Sequence, residues 1–346
     1  MSCIIAVGKD KLNWHTRFVQ ALKSENAGFP FDYKTVNMEA PDWMQQIQDA
    51  DIVLWKPHFM GVKSALFFKE KVYFMQKISG KRVLPNYESI WHFESKAAQH
   101  YLFTYYDIKT PQTRVFMDHN WTDRVMDHSE FPLVFKQSDG AAGQHVKLLQ
   151  SRKNARRQLQ RQFAVPLYED KKCQNGAVRA KLSNLFSSWF WMRVWQRLHA
   201  PFETSALAYV QQFIGGNPAD LRVTVIGDRY AYAFWRQNRR HDFRASGSGV
   251  IDYERPVPEP VIRYCLELNK TLHFDSMCYD ILFTGDDFVV SEMSYGYKDR
   301  PLYEAGGYYV NTSSGLDWVS EPCRPQTLWV RWLFESYLKH QEQHAE

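Results

Sequence analysis

The chain has 346 residues, of which 45% are hydrophobic and 16% aromatic, with 43 Lys+Arg against 38 Asp+Glu. This length allows two or three domains with sizeable cores, and the composition excludes a disordered chain. No apolar run approaches the roughly 18 residues of a spanning helix, the apolar start is too short for a secretory leader, and five scattered cysteines support neither a disulfide framework nor a cysteine zinc site, so a cytoplasmic setting is expected.

Residues 1–86 alternate between strand and helix patterns. Residues 2–7 and 51–55 suit buried strands, and 32–38 alternates weakly. Helix spacing fills 12–23, 41–49 and 64–78, with Pro41 at a first turn and Gly80 placed to end the third. A strand over 82–85 completes a β-α-β order that predicts a small parallel sheet. No glycine-rich nucleotide motif follows the first strand.

A helix over 94–106 precedes strands at 113–116 and 131–136. The small-residue loop Asp139-Gly140-Ala141-Ala142-Gly143 then leads to a strand over 145–149. From Ala208 the pattern becomes antiparallel. Strands 222–226 and 229–235 flank Gly227-Asp228, which predicts a two-residue hairpin loop. A helix over 261–272, strands over 277–283 and 288–293, and a helix over 328–340 complete the chain. There is no internal repeat or low-complexity tract.

Two features suggest chemistry. A three-residue loop at 285–287 places Thr284 opposite Phe288 and, four positions back along the strand, Asp280 opposite Glu292 on one face. Like charges so placed destabilise a hairpin unless a cation such as Mg²⁺ offsets them. A one-residue slip would separate the two carboxylates. Ser294 shares that face. Lys136, ending a strand before a Gly-Ala-Ala-Gly loop, suggests phosphate binding through approaching backbone N–H groups. Arg236, Arg239, Arg240 and Arg244 could join it, although a solvated basic edge also accounts for Arg239 and Arg240. His58, His92, His100 and His145 show no ligand spacing.

The order of these features resembles the ATP-grasp superfamily over roughly residues 2–312. The similarity rests on several segments. These are Glu94-Ser95-Lys96 with Thr110-Pro111-Gln112-Thr113, and the 131–143 strand and loop. They continue with Tyr209-Val210-Gln211-Gln212-Phe213-Ile214, Asp220-Leu221-Arg222 through Asp228, Phe243-Arg244, and the 279–282 and 290–294 strands. The resemblance implies an α/β fold with three parts. These are an N-terminal Rossmann-like parallel-sheet domain (1–90), a small ATP-covering domain (91–208) with an insert at 152–205, and a C-terminal antiparallel-sheet domain (209–346).

It also implies ATP and Mg²⁺ as ligands, with Mg-ATP between the last two domains. Lys96 and Lys136 would hold phosphates, and Gly140, Ala141, Ala142 and Gly143 would cover them. Gln211, Gln212, Phe213 and Ile214 would meet the adenine. Arg222 would join the ATP site, and Arg244 with Lys136 would act in catalysis. Asp280, Glu292 and Ser294 would carry the metal. The implied reaction turns a carboxylate into an acyl phosphate that an amine or thiol attacks. A kinase on the same scaffold acting on a sugar or other small acceptor, and a catalytically silent nucleotide- or glycan-binding module, are the alternatives. Gln212, Ser294 and Ala245-Ser246 depart from the family pattern, which has an acidic hinge residue and asparagines at the last two places. The tail Glu292-Met293-Ser294-Tyr295-Gly296-Tyr297, continuing to Gly306-Gly307-Tyr308, resembles ATP-grasp proteins of bacterial surface-polysaccharide synthesis.

Residues 152–200 carry eleven Lys/Arg against Glu169 and Asp170, leaving the rest of the chain mildly acidic. They also hold Trp189, Trp191 and Trp195. A buried helix with snorkelling arginines accounts for this segment. Docking of an anionic substrate, or of acidic headgroups at the inner membrane surface, is the functional reading. Nothing else in the chain supports nucleic acid as a partner.

Overall fold

The computed structural model describes all residues except 1, 58–61, 138–145, 164–206, 241, 246 and 346. The Gly140–Gly143 loop, His58, His145 and most of the basic insert therefore lie outside the described residues. The chain forms two compact units, Met1–Phe93 with Ile214–Glu346, and Glu94–Phe213.

The first unit begins with β1 (Cys3–Gly8), α1 (Trp14–Ser24), β2 (Phe31–Val36), α2 (Trp43–Gln46), β3 (Ile52–Leu54), α3 (Val62–Tyr73), β4 (Arg82–Leu84) and α4 (Tyr87–Ile90). The four strands pair in parallel in the order β2-β1-β3-β4. The expected helix over 41–49 shrinks to α2, a single turn with no buried residue to anchor it. The helix over 64–78 changes from α to π winding at Phe74, and Gly80 follows at φ 68°.

The second unit contains α5 (Lys96–Tyr105), β5 (Thr113–Phe116), α6 (Thr122–Asp127), β6 (Leu133–Gln137), β7 (Val146–Leu149), α7 (Arg152–Gln162) and β8 (Ala208–Gln212). Its antiparallel sheet runs β5-β8-β6-β7. Phe116, Leu133, Phe135, Val210, Ala155 and Leu159 form its core, so α7 covers one sheet face. The first arginines of the basic segment are thus tied to a packed helix. Arg152 pairs with Asp127, and Arg156 Nε donates to Asp123 at 2.8 Å.

The chain then returns to the first unit through β9 (Ala219–Ile226), β10 (Tyr230–Gln237), β11 (Ile251–Asp252), α8 (Glu259–Thr271), β12 (Ser276–Thr284), β13 (Asp287–Ser294), α9 (Arg300–Glu304), β14 (Tyr308–Thr312), β15 (Gly315–Val319) and α10 (Pro325–Ala345). The seven-stranded sheet runs β13-β12-β9-β10-β14-β15, with β11 beside β10. The β14–β15 hairpin carries no motif that sequence spacing had singled out. Helix α8 buries Ile262, Cys265 and Asn269, and Asn269 Oδ1 accepts from Tyr279 Oη at 3.2 Å. Ile226, Tyr232 and Phe234 on the opposite face join Trp14, Phe18, Trp329 and Leu333 in the main core. Alternation thus divides β9 and β10 between two packed layers.

Both hairpin turns differ from expectation. Ile226 pairs with Tyr230, so 227–229 form a three-residue loop rather than two. Thr284 pairs with Asp287, so Gly285-Asp286 form a two-residue turn rather than three. Gly227 (φ 60°) and Gly285 (φ 69°) supply the left-handed backbone each needs.

Candidate functional site

The two-residue turn alone would put Asp280 opposite Ser291. The ladder instead shifts by one between Asp280 and Ile281, so Ile281 faces Val290 while Asp280 faces Glu292. The extra residue is a bulge, a feature common beside sites because it re-aims side chains. The expected carboxylate pair forms, but through a short turn plus a bulge. Cys278 faces Ser294 one step further along, and Ser294 Oγ accepts from the Gly296 N–H at 3.1 Å.

Neighbouring strands place arginines against this pair. Arg222 on β9 lies in register with Asp280 on β12. Its Nε and Nη2 donate to Oδ1 at 2.9 Å and Oδ2 at 3.0 Å, a planar two-pronged contact that lysine could not make. Arg236 on β10 lies opposite Asp220 on β9. It donates through Nε at 2.7 Å and Nη2 to that carboxylate, and through Nη2 to Asp280 Oδ2 at 2.8 Å. Asp220, Arg236, Asp280 and Arg222 therefore form one chain of ion pairs across three strands. Glu292 stands at its edge, in no ion pair among the described residues.

The electrostatics follow from this geometry. Burial opposes ionisation of Asp280, but Arg222 and Arg236 outweigh it and hold its carboxyl below the usual range. Burial and the adjacent Asp280 charge push Asp220 up, against the pull of Arg236. Burial works against the charged form of Arg236, yet Asp280 and Asp220 raise its pKa further. Burial pushes the Cys278 thiol up to about 11, so this cysteine is no ready nucleophile.

The strand alternation held the signal for Asp220 and Arg236. Assuming a two-residue loop at 227–228 sets Asp220 opposite Trp235 and hides the pair. The real three-residue loop restores it. Arg244 leaves this network. Its Nε donates to both oxygens of Asp242 at 3.0 and 2.8 Å, and its Nη2 to Oδ2 at 2.6 Å. That hydrogen bonding lowers the Asp242 pKa and raises that of Arg244.

In the second unit, Lys136 lies opposite Tyr209 on the sheet face away from α7, its Nζ 5.8 Å from the Tyr209 ring centre. Lys96 opens α5 behind the Ser95 cap and is buried, and the His100 ring on that helix meets Tyr209. Gln211 is buried, and its Nε2 donates to Thr113 Oγ1 at 3.0 Å and Tyr209 Oη at 3.2 Å, so its amide is directed inward. The Gln212 side chain is exposed, while its backbone N–H donates to Gln112 O at 2.8 Å. Phe213 ends this unit and Ile214 begins the return to the other.

The residues fit Mg²⁺. This ion commonly takes one or two carboxylates and completes its shell with water and substrate phosphate. Asp280 Oδ1 accepts one guanidinium hydrogen bond and a long contact from the Cys278 thiol at 4.0 Å, and Glu292 stands opposite. Three carboxylates against two guanidiniums leave one negative charge. Among the described residues, no group of three His, Cys, Asp or Glu is assembled for a metal, so phosphate oxygens would be needed.

No protein-family model and no curated protein matches the chain. Solved structures do. A RimK domain protein ATP-grasp from Sphaerobacter thermophilus is 16% identical with a TM-score of 0.51, over 88% of this chain and 95% of that one. A D-alanine–D-alanine ligase from Bacillus anthracis is 13% identical with a TM-score of 0.52, over 85% and 86%. The ATP-grasp ligase PsnB, solved with a minimal precursor, Mg and ADP, is 14% identical with a TM-score of 0.52, over 87% and 92%. With its parallel and antiparallel sheets in this order, the chain is built on the ATP-grasp fold.

Proposed function

We propose that the protein is an ATP-dependent ligase that activates a carboxylate as an acyl phosphate for attack by an amine or thiol. The observation that carries this reading is the Asp280–Glu292 pair, held in register on one sheet face beside Arg222 and Arg236. Carboxylates and guanidiniums on one face suit a cation and a polyphosphate together.

In this reading ATP is a substrate. Asp280 and Glu292 would hold Mg²⁺, with Ser294 beside them, and the ion when bound would screen the triphosphate and align its terminal phosphate. Lys96 and Lys136 would contribute positive charge to the phosphates. Arg222 would supply two N–H donors in a fixed fork to a phosphate oxygen pair. Arg244 would stabilise charge on the phosphoryl group in transfer. The acceptor carboxylate attacks that group, ADP leaves, and an amine or thiol then displaces phosphate from the acyl carbon. Phosphate is a far better leaving group than oxide, so the uphill step is coupled to ATP cleavage.

The backbone of Phe213 and Ile214 would take the adenine edge, because the Gln212 N–H is already spent within its own sheet. Similar structures support the substrate classes. One neighbour is a D-alanine–D-alanine ligase, and another is an ATP-grasp ligase solved with a minimal precursor.

The test is a Mg-ATP turnover screen over pooled carboxylic acids, amines, thiols and sugars, reading ADP and phosphate. The ligase reading expects both products, and only when acid and nucleophile are present together. A stable phosphorylated sugar would instead establish a kinase, and binding without turnover a silent module.

A further inference from the structure

Asp280 has two sets of claimants. It faces Glu292 in the position of a metal ligand, yet its two oxygens accept three guanidinium hydrogen bonds, at 2.9, 3.0 and 2.8 Å. The two arginines are held differently. Arg236 is buried and also grips Asp220, so Asp220 anchors it in place. The Arg222 side chain is 24% exposed and has no carboxylate partner besides Asp280 among the described ion pairs. Arg222 can therefore turn away, whereas Arg236 is fixed.

Resting on the ATP-dependent reading above, we propose that Arg222 is the resident counter-ion of Asp280 and is exchanged for a divalent cation only when a polyphosphate arrives to receive the guanidinium. Two guanidiniums around one carboxylate oppose the approach of a bare cation, because its charge must displace theirs. A polyphosphate removes that opposition by offering Arg222 a new pair of acceptors. Cation and polyphosphate then bind with positive coupling, and by linkage each raises the other's affinity by the same factor. Asp220 is a positioning residue in this account. It takes the Arg236 Nε and shares its Nη2, so that Arg236 gives Asp280 one hydrogen bond rather than two.

The experiment uses the full chain with Mn²⁺ as probe, its free concentration read by electron paramagnetic resonance, with and without inorganic tripolyphosphate. Wild-type protein should bind Mn²⁺ weakly alone and about tenfold or more tighter with tripolyphosphate, the scale of one charge-assisted hydrogen bond. Arg222→Met should bind Mn²⁺ alone about tenfold tighter than wild type and lose most of the coupling. Asp220→Asn should act oppositely and weaken Mn²⁺ binding, because Arg236 then donates wholly to Asp280. Arg222→Lys, which keeps the charge and loses the fork, should fall between wild type and the Met variant and serves if the latter does not fold. An Arg222→Met variant that binds Mn²⁺ no tighter than wild type, or keeps full coupling, would overturn the exchange. Calorimetric titration of wild-type protein with Mg-ATP separates the two claims, since failure to bind there overturns the ATP-dependent reading itself.

Discussion

The two hairpins of the seven-stranded sheet treat charge in opposite ways. In β9–β10 the residues directly across are Asp220 and Arg236, which neutralise each other. In β12–β13 they are Asp280 and Glu292, which repel. The first pairing is what a stable sheet favours, and the second is what it avoids. The acidic pair persists because β9 lends it Arg222 in register and β10 reaches it with Arg236. One hairpin thus acts as the electrostatic support of the other, and the unbalanced charge at Glu292 remains available for a cation.

The largest expected effect comes from breaking the acidic side. Glu292→Gln should lower turnover by about a hundredfold or more, the scale reported for lost metal ligation and its support. Its melting temperature should stay at or above wild type, because a repulsion is removed. Steady-state rates and a thermal melt on the same preparation check both parts. Wild-type turnover from this variant would show that the carboxylate pair has no catalytic role.

Breaking the supporting side should affect stability most. Arg236→Met strands Asp220 in a buried setting and leaves Asp280 with Arg222 alone, and removing one partner of such a network costs about 3–5 kcal/mol. Urea denaturation reads this directly. Loss below about 1 kcal/mol would mean that the ladder is not the support described here.

How much of this was legible in the sequence differs between the two hairpins. The parallel sheet, most antiparallel strands and the Asp280–Glu292 facing could be read from alternation. A three-residue turn predicts that facing, whereas the protein uses a two-residue turn and a bulge that adds the missing offset. A bulge has no residue code of its own, so spacing alone could not show it. The Asp220–Arg236 pair stayed hidden because Gly227-Asp228 reads as a complete two-residue turn, while Arg229 is also part of the loop. In the other unit, the resemblance names Gln211 as an ATP contact, and its hydrogen bonds are not legible in the sequence. Its amide donates to Thr113 and Tyr209, an arrangement that depends on strands far apart in the chain.

A smaller effect concerns the exit of the acidic hairpin. Lys56 is buried, its Nζ donates to Tyr297 O at 3.0 Å and lies 4.1 Å from the Trp14 ring centre. Burial pushes its pKa down to about 7 from 10.5. The folded state then binds fewer protons than the unfolded state between those values, so stability should rise as pH increases from about 7 toward 10.5 and fall as pH drops through 7. Lys56→Met removes the titration. Its melting temperature relative to wild type should be highest at pH 6 and decline by pH 9. A difference that is flat with pH would remove Lys56 from this account.

The smallest effect is expected at Ser294. Ser294→Ala deletes the acceptor for the Gly296 N–H, worth about 1 kcal/mol, and a weak metal contact at most. Turnover should fall far less than in Glu292→Gln, and equal losses would make Ser294 a principal ligand.

The central claim is that ATP energy passes through an acyl phosphate. Hydroxylamine trapping in the presence of Mg-ATP and pooled carboxylic acids tests it most directly. The account predicts a hydroxamate formed in step with ADP in wild-type protein and lost in Glu292→Gln. ADP released with a stable phosphorylated product and no hydroxamate, or no ADP from any acid, would contradict it.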